Sequence, residues 1–146
     1  LVLKEDIKRV IVPVQGAPDD DAAVQLACLV ARQSKAQVYA VYVIEVPRTL
    51  PLEADLPDEE RRAEQALQRA EIVAEDMGLE IAGELLQARF AGTALVDEAV
   101  DRQADLIIIG LPYRTRFGEF SLGGTSSYVL KHAPCRVWLC RDPKEE

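Results

Sequence analysis

Residues 104–140 read ADLIIIG, then LPYRTRFGEFSLG, then GTSSYVLKHAPCRVWLC. Leu106, Ile107, Ile108 and Ile109 form an unbroken apolar run that stops at Gly110. A strand without polar alternation is apolar on both faces, and such strands lie inside parallel sheets covered by helices on each side. A glycine pair, Gly123 and Gly124, stands directly before a helical pattern, and Pro134 separates that helix from a further strand, Arg136 to Arg141. The order is strand, loop, helix, strand. Ligands of such sheets sit beyond the carboxyl ends of the strands, where Gly110 falls. A helix beginning near Gly124 would turn its free N–H groups and positive dipole end to the same edge, which suits an anion. A strand-end turn and a tight helix entry would also explain these glycines.

Outward from this stretch the alternation continues. Arg9 to Val14 (RVIVPV) is a β-branched first strand, and Ala23, Leu26, Ala27, Val30 and Ala31 recur at helical spacing after it. Asp19, Asp20 and Asp21 open that helix, where carboxylates cap and complement the dipole. A metal or phosphoryl-acceptor reading of them is disfavoured, because they come several residues into the loop. Gln37 to Val46 is a second strand, and the proline-marked connection RTLPLEADLP (48–57) is long enough to be a lid or a loose surface loop. Asp58 to Met77 is an amphipathic helix stopped by Gly78, and Leu79 to Ala88 alternates like a strand nearer a sheet edge. Thr93 is placed to cap a third helix, with Leu95, Ala99 and Val100 facing inward. Five strands alternating with helices make one α/β doubly wound parallel sheet over residues 1–146, with Leu1 to Ile7 as a lead-in segment.

Composition narrows the function classes. A chain of 146 residues with 49% hydrophobic and 29% charged residues is a globular domain of ordinary size. Its net charge of −8 argues against nucleic acid or an anionic membrane as main partner. No run approaches the ~18 apolar residues of a membrane span, and no signal peptide is visible. Cys135 and Cys140 bracket the last strand an odd number of residues apart, so they face opposite sides roughly 16 Å from one another. With Cys28 they read as reduced, mostly buried thiols of a cytoplasmic protein, and His132 adds too few ligands for zinc. The chain starts at Leu1 and not at Met, which fits processing, editing or excision from something longer.

With the fourth strand in hand, the whole chain resembles the universal stress protein family. IVPVQG is similar to the family's first strand and YVIEV to its second. ADLIIIG followed by LGGTSSYVLKHAPCRV resembles its most recognisable segment, above all Tyr128-Val-Leu and His132-Ala-Pro-Cys135. The resemblance implies a Rossmann-like sheet of the adenine nucleotide alpha hydrolase type, with strand order 3-2-1-4-5. One branch of the family binds ATP through a motif of Gly, two residues, Gly, nine residues, Gly, then Ser or Thr. Here Gly110 and Gly123 match the first and third glycines, while Tyr113 stands at the second and Gly124 at the Ser/Thr position. The family's first-strand segment usually ends in Asp, where this chain has Pro13, Val14 and then Gln15.

On that resemblance the candidate binding residues are Pro13, Val14, Gln15, Val43, Ile109, Gly110, Tyr113, Gly123, Gly124 and Thr125. The expected ligand is ATP, with Mg, or AMP, held at the carboxyl ends of strands one and four. Tyr113 adds a bulky ring where glycine would let the backbone approach phosphates, so it could close the site or stack on a ligand. Gly124 removes a hydroxyl that Thr125 could restore nearby, and Arg114 and Arg116 could offset phosphate charge. No catalytic set is assembled: His132 ends a helix, where its ring complements the dipole and can bond a terminal carbonyl. A regulatory domain is therefore expected, not an enzyme. The alternative is a dimeric interaction module without nucleotide, docked on or fused to a larger protein such as a membrane transporter. Val137 and Leu139 face one side of the fifth strand and Trp138 and Cys140 the other, a hazard at an open edge. Family resemblance implies a homodimer paired through Arg136 to Arg141.

Overall fold

A computed structural model describes residues 7–112, 115–116, 119–120 and 122–143. In chain order its elements are β1 (Arg9–Pro13), α1 (Asp19–Ser34), β2 (Gln37–Glu45), α2 (Pro57–Asp76), β3 (Ala82–Ala88), α3 (Ala91–Arg102), β4 (Leu106–Leu111), β5 (Thr115–Arg116), β6 (Glu119–Phe120), α4 (Gly124–His132) and β7 (Arg136–Arg141). The five long strands form one sheet in the order β3-β2-β1-β4-β7, with every pairing parallel. This is the expected 3-2-1-4-5 order. The short strands β5 and β6 pair antiparallel as a separate ribbon, which two-residue strands without period do not announce in the sequence.

The apolar run does what its pattern requires. All six residues of β4 are buried, with Leu106 and Ile108 in a core shared with α1 and α2, and Ile107, Ile109 and Leu111 in a second core on the opposite face with α3 and α4. Each such side chain removed from water stabilises the fold by about 1.5–3 kcal/mol. Val10 and Val12 of β1 belong to the first core and Ile11 to the second. Ile7 is 2% exposed, so the end of the lead-in segment is an anchor of the core.

Several local expectations are corrected. The three aspartates do open α1, which starts at Asp19, but Pro18 and not an aspartate is its N-cap residue. Thr93 lies inside the first turn of α3, where its hydroxyl donates back to the Phe90 carbonyl at 2.9 Å and caps nothing. Val100 is 56% exposed while Leu95 and Ala99 are buried. The 48–57 connection is no loose loop. Arg89 Nη1 donates to the carbonyls of Pro47 (2.7 Å) and Leu50 (2.8 Å), and Gln87 Nε2 to those of Leu52 (2.9 Å) and Ala54 (3.1 Å), which tie the segment to the end of β3. No described helix is long and apolar enough to cross a membrane.

Candidate functional site

A cavity of about 330 Å³ opens at the carboxyl ends of β1 and β2. Its volume falls in the ~300–1,000 Å³ range of small-molecule sites. Pro13, Val14 and Gln15 line it from the end of β1, Val41 to Glu45 from β2, Glu59 from α2, Ala91 and Leu95 from α3, and Thr125 from α4. Of the sequence-predicted residues, the structure therefore brings together Pro13, Val14, Gln15, Val43 and Thr125. Gly123 and Gly124 stand exposed at the start of α4, next to Thr125 but outside the lining. Ile109 is buried in the second core. Tyr113 and Arg114 lie outside the described residues.

Gly110 has a different reason to be glycine. A Cβ there would sit 2.5 Å from the Asp19 carbonyl oxygen and 3.3 Å from the Ala23 Cβ, so its place at the strand end lets α1 pack directly on β4. Gly123 takes φ +81°, the left-handed region that favours glycine, as the N-cap of α4. Gly124 has open space around it.

Two of the helix N-termini at this edge, those of α3 and α4, are treated differently. The first N–H of α3, on Ala91, donates to the Glu45 carboxylate at 2.8 Å. The protein's own anion thus occupies that end. The N-cap of α4 makes no side-chain hydrogen bond, and its first-turn N–H groups stand beside Thr125. Glu45 ends the second strand of a doubly wound sheet, and that position alone marks it as a site residue in the sequence.

The loop after β1 is held by a residue that sequence reasoning assigned to capping the helix and complementing its dipole. Asp20 is 7% exposed, and its carboxylate accepts from the Gln15 N–H at 3.1 Å and the Gly16 N–H at 2.7 Å. Burial pushes its pKa up to about 6, with the backbone donors pulling the other way and Asp19 adding to the rise. The Val14 N–H is already engaged by the Val41 carbonyl at 2.9 Å. On its other side Asp20 lines a second cavity of about 560 Å³ between α1 and α2, together with Asp21, Tyr42, Arg62 and Arg69. Arg69 grips Asp21 at 2.7 Å, Arg62 pairs with Glu59, and burial raises the Tyr42 phenol.

His132 is exposed at the end of α4, and its ring lies on Tyr128 with centroids 4.2 Å apart; Tyr128 in turn meets Phe90 edge-on at 5.3 Å. A ring stack stands where a bond to a terminal carbonyl was expected. Among the described residues, no group of three or more His, Cys, Asp or Glu side chains is placed to hold a metal ion. The three thiols are free. Cys28 is buried in the first core, while Cys140 packs against the first core and Cys135 against the second, so these two face opposite sides.

Comparison with known proteins agrees with this architecture. The sequence is 29% identical over 145 residues to the universal stress protein MJ0531 of Methanocaldococcus jannaschii, covering 95% of this chain and 85% of that one. A universal stress protein of Archaeoglobus fulgidus superposes with a TM-score of 0.79 at 22% identity, over 90% of this chain and 97% of that one. The structure of the universal stress protein from Archaeoglobus fulgidus in complex with dAMP gives 0.73 at 18% identity, over 92% and 98%. The model of the universal stress protein family matches residues 6–141, and the chain belongs to that family.

Proposed function

We propose that this domain binds an adenine nucleotide carrying few phosphates, AMP before ATP, and acts as a regulatory module without catalysis of its own. One observation carries the reading: the β1–β2 cavity is lined both by the loop after β1, whose backbone N–H groups are occupied, and by Thr125 in the first turn of α4, whose N-cap makes no side-chain hydrogen bond. The loop, whose Val14, Gln15 and Gly16 backbone N–H groups are spent, offers carbonyls and the Gln15 side-chain amide, an acceptor and donor set that suits the edge of a base. The α4 N-terminus and Thr125 offer N–H groups, a dipole and a hydroxyl, which suit an anion. A similarly folded universal stress protein holds dAMP, which supports this ligand class.

Short phosphate chains are favoured because the charged side chains lining the cavity among the described residues are Glu45 and Glu59, and Gly124 offers no hydroxyl. Magnesium would arrive with ATP. We further infer a homodimer paired through β7, and work in the cytoplasm, which the free thiols support.

Calorimetry with AMP and with ATP, each with and without magnesium, tests the nucleotide reading. AMP is expected to bind at least as tightly as ATP, with little effect of magnesium on AMP. Binding only by a Tyr113→Gly variant would mean that the inherited pocket is closed. Absence of binding by both proteins would sink the reading and leave an interaction module.

A further inference from the structure

Asp20 holds the backbone of a residue that lines both cavities. It lines the larger cavity, whereas Gln15, which it holds by the backbone, lines both. No peptide bond here is cis, and in a trans peptide the carbonyl points opposite to the N–H. The N–H groups of Gln15 and Gly16 turn toward Asp20. The carbonyls of Val14 and Gln15, which share those two peptide planes, must turn away from it. The Val14 N–H is taken by the sheet, so the backbone of this loop offers acceptors. An edge of acceptors pairs with an amine and repels a carbonyl.

We propose that Asp20 is the positioning residue for base selection: its ionised carboxylate fixes the two peptide planes whose carbonyls favour a 6-aminopurine over a 6-oxopurine. This rests on the nucleotide reading above. The Gly16 N–H reaches Oδ2 at 2.7 Å and the Gln15 N–H spans both oxygens at 3.1 Å, so protonation turns one accepting oxygen into a donor and removes the charge that strengthens both bonds. The groups facing it are Asp19 and Asp21 on α1, Tyr42 on β2, and Arg62 and Arg69 on α2. Burial among them places its ionisation at about 6, so selectivity is present above that pH and lost below it.

AMP and IMP carry the same phosphate, whose own titration cancels in the ratio of their affinities. The test is calorimetry of both at about pH 5 and about pH 7.5, on either side of this ionisation, with the intact chain and an Asp20→Asn variant. The chain is expected to prefer AMP roughly tenfold at the higher pH and about twofold at the lower, the loss of about one hydrogen bond. The variant should show the weak preference at both. A nuclear magnetic resonance titration without ligand should move the Gly16 amide proton with a midpoint near the Asp20 ionisation, and leave it still in the variant. A preference that ignores pH, a variant that keeps it in full, or a Gly16 amide that does not titrate overturns the inference while leaving nucleotide binding intact. If neither nucleotide binds at any pH, both readings fall together.

Discussion

Asp20 also couples the fold to pH, with a sign opposite to that of most carboxylates. Its pKa of about 6 in the folded chain lies above the ordinary 3.8, so the folded state binds this proton more tightly than the unfolded state does. The stabilisation from the protonated form is full below 3.8 and is lost as pH rises through about 6. About two units correspond to about 3 kcal/mol at most. An Asp20→Asn variant never bears that charge. Its stability relative to the parent should therefore improve by up to about 3 kcal/mol between about pH 4 and about pH 7, as read by urea unfolding at both. An unchanged difference would mean that Asp20 ionises normally. The sequence shows three aspartates in a row and does not say which one turns inward. Loop length and helix rotation decide that, and they place Asp21 on Arg69 and Asp20 on the backbone of the β1–α1 loop.

The start of α4 is where an element meets the proposed ligand. Gly124 is its first residue, with a Cβ position that meets nothing within 4 Å, so a side chain there has room. A Gly124→Ser variant should gain up to about 0.5 kcal/mol of helix stability and bind AMP about threefold to tenfold more tightly through the added hydroxyl. Thermal unfolding and calorimetry check both halves. Tighter folding with unchanged AMP affinity would move the phosphate away from α4. Elements of this kind were legible because period and punctuation agree: β2 within a residue, α4 from the glycine pair, and β7 at both ends. Thr93 misled because a hydroxyl near a helix start resembles a cap, while the helix starts two residues earlier at Ala91, whose N–H is held by Glu45, many residues away in the chain. The ties from Arg89 and Gln87 onto the 48–57 segment are equally distant, and no local pattern encodes them.

For the molecule as a whole, the sheet ends at β7. Trp138 and Cys140 pack against one core and Val137 and Leu139 against the other, yet all four are only half-buried. One edge of β7 pairs with β4, and none of the sheet's other strands covers the other. Light scattering should give twice the chain mass at micromolar concentration, and a Leu139→Lys variant should give the single mass, because a charge on the strand opposes pairing along it. A single mass for the parent chain would exclude the homodimer. The class of fold could be read from alternating strands and helices, and the sheet order from family resemblance, whereas the rule of strand ends put the site at strands one and four and the cavity opens at β1 and β2. Gly110 bears on descent as well as packing. Were some descendant of this chain to abandon its ligand altogether, Gly124 would be released to change, but Gly110 would stay, confined by the Asp19 carbonyl above it. A glycine at this strand end records how closely helix and sheet were drawn together, and is silent about what the pocket once held.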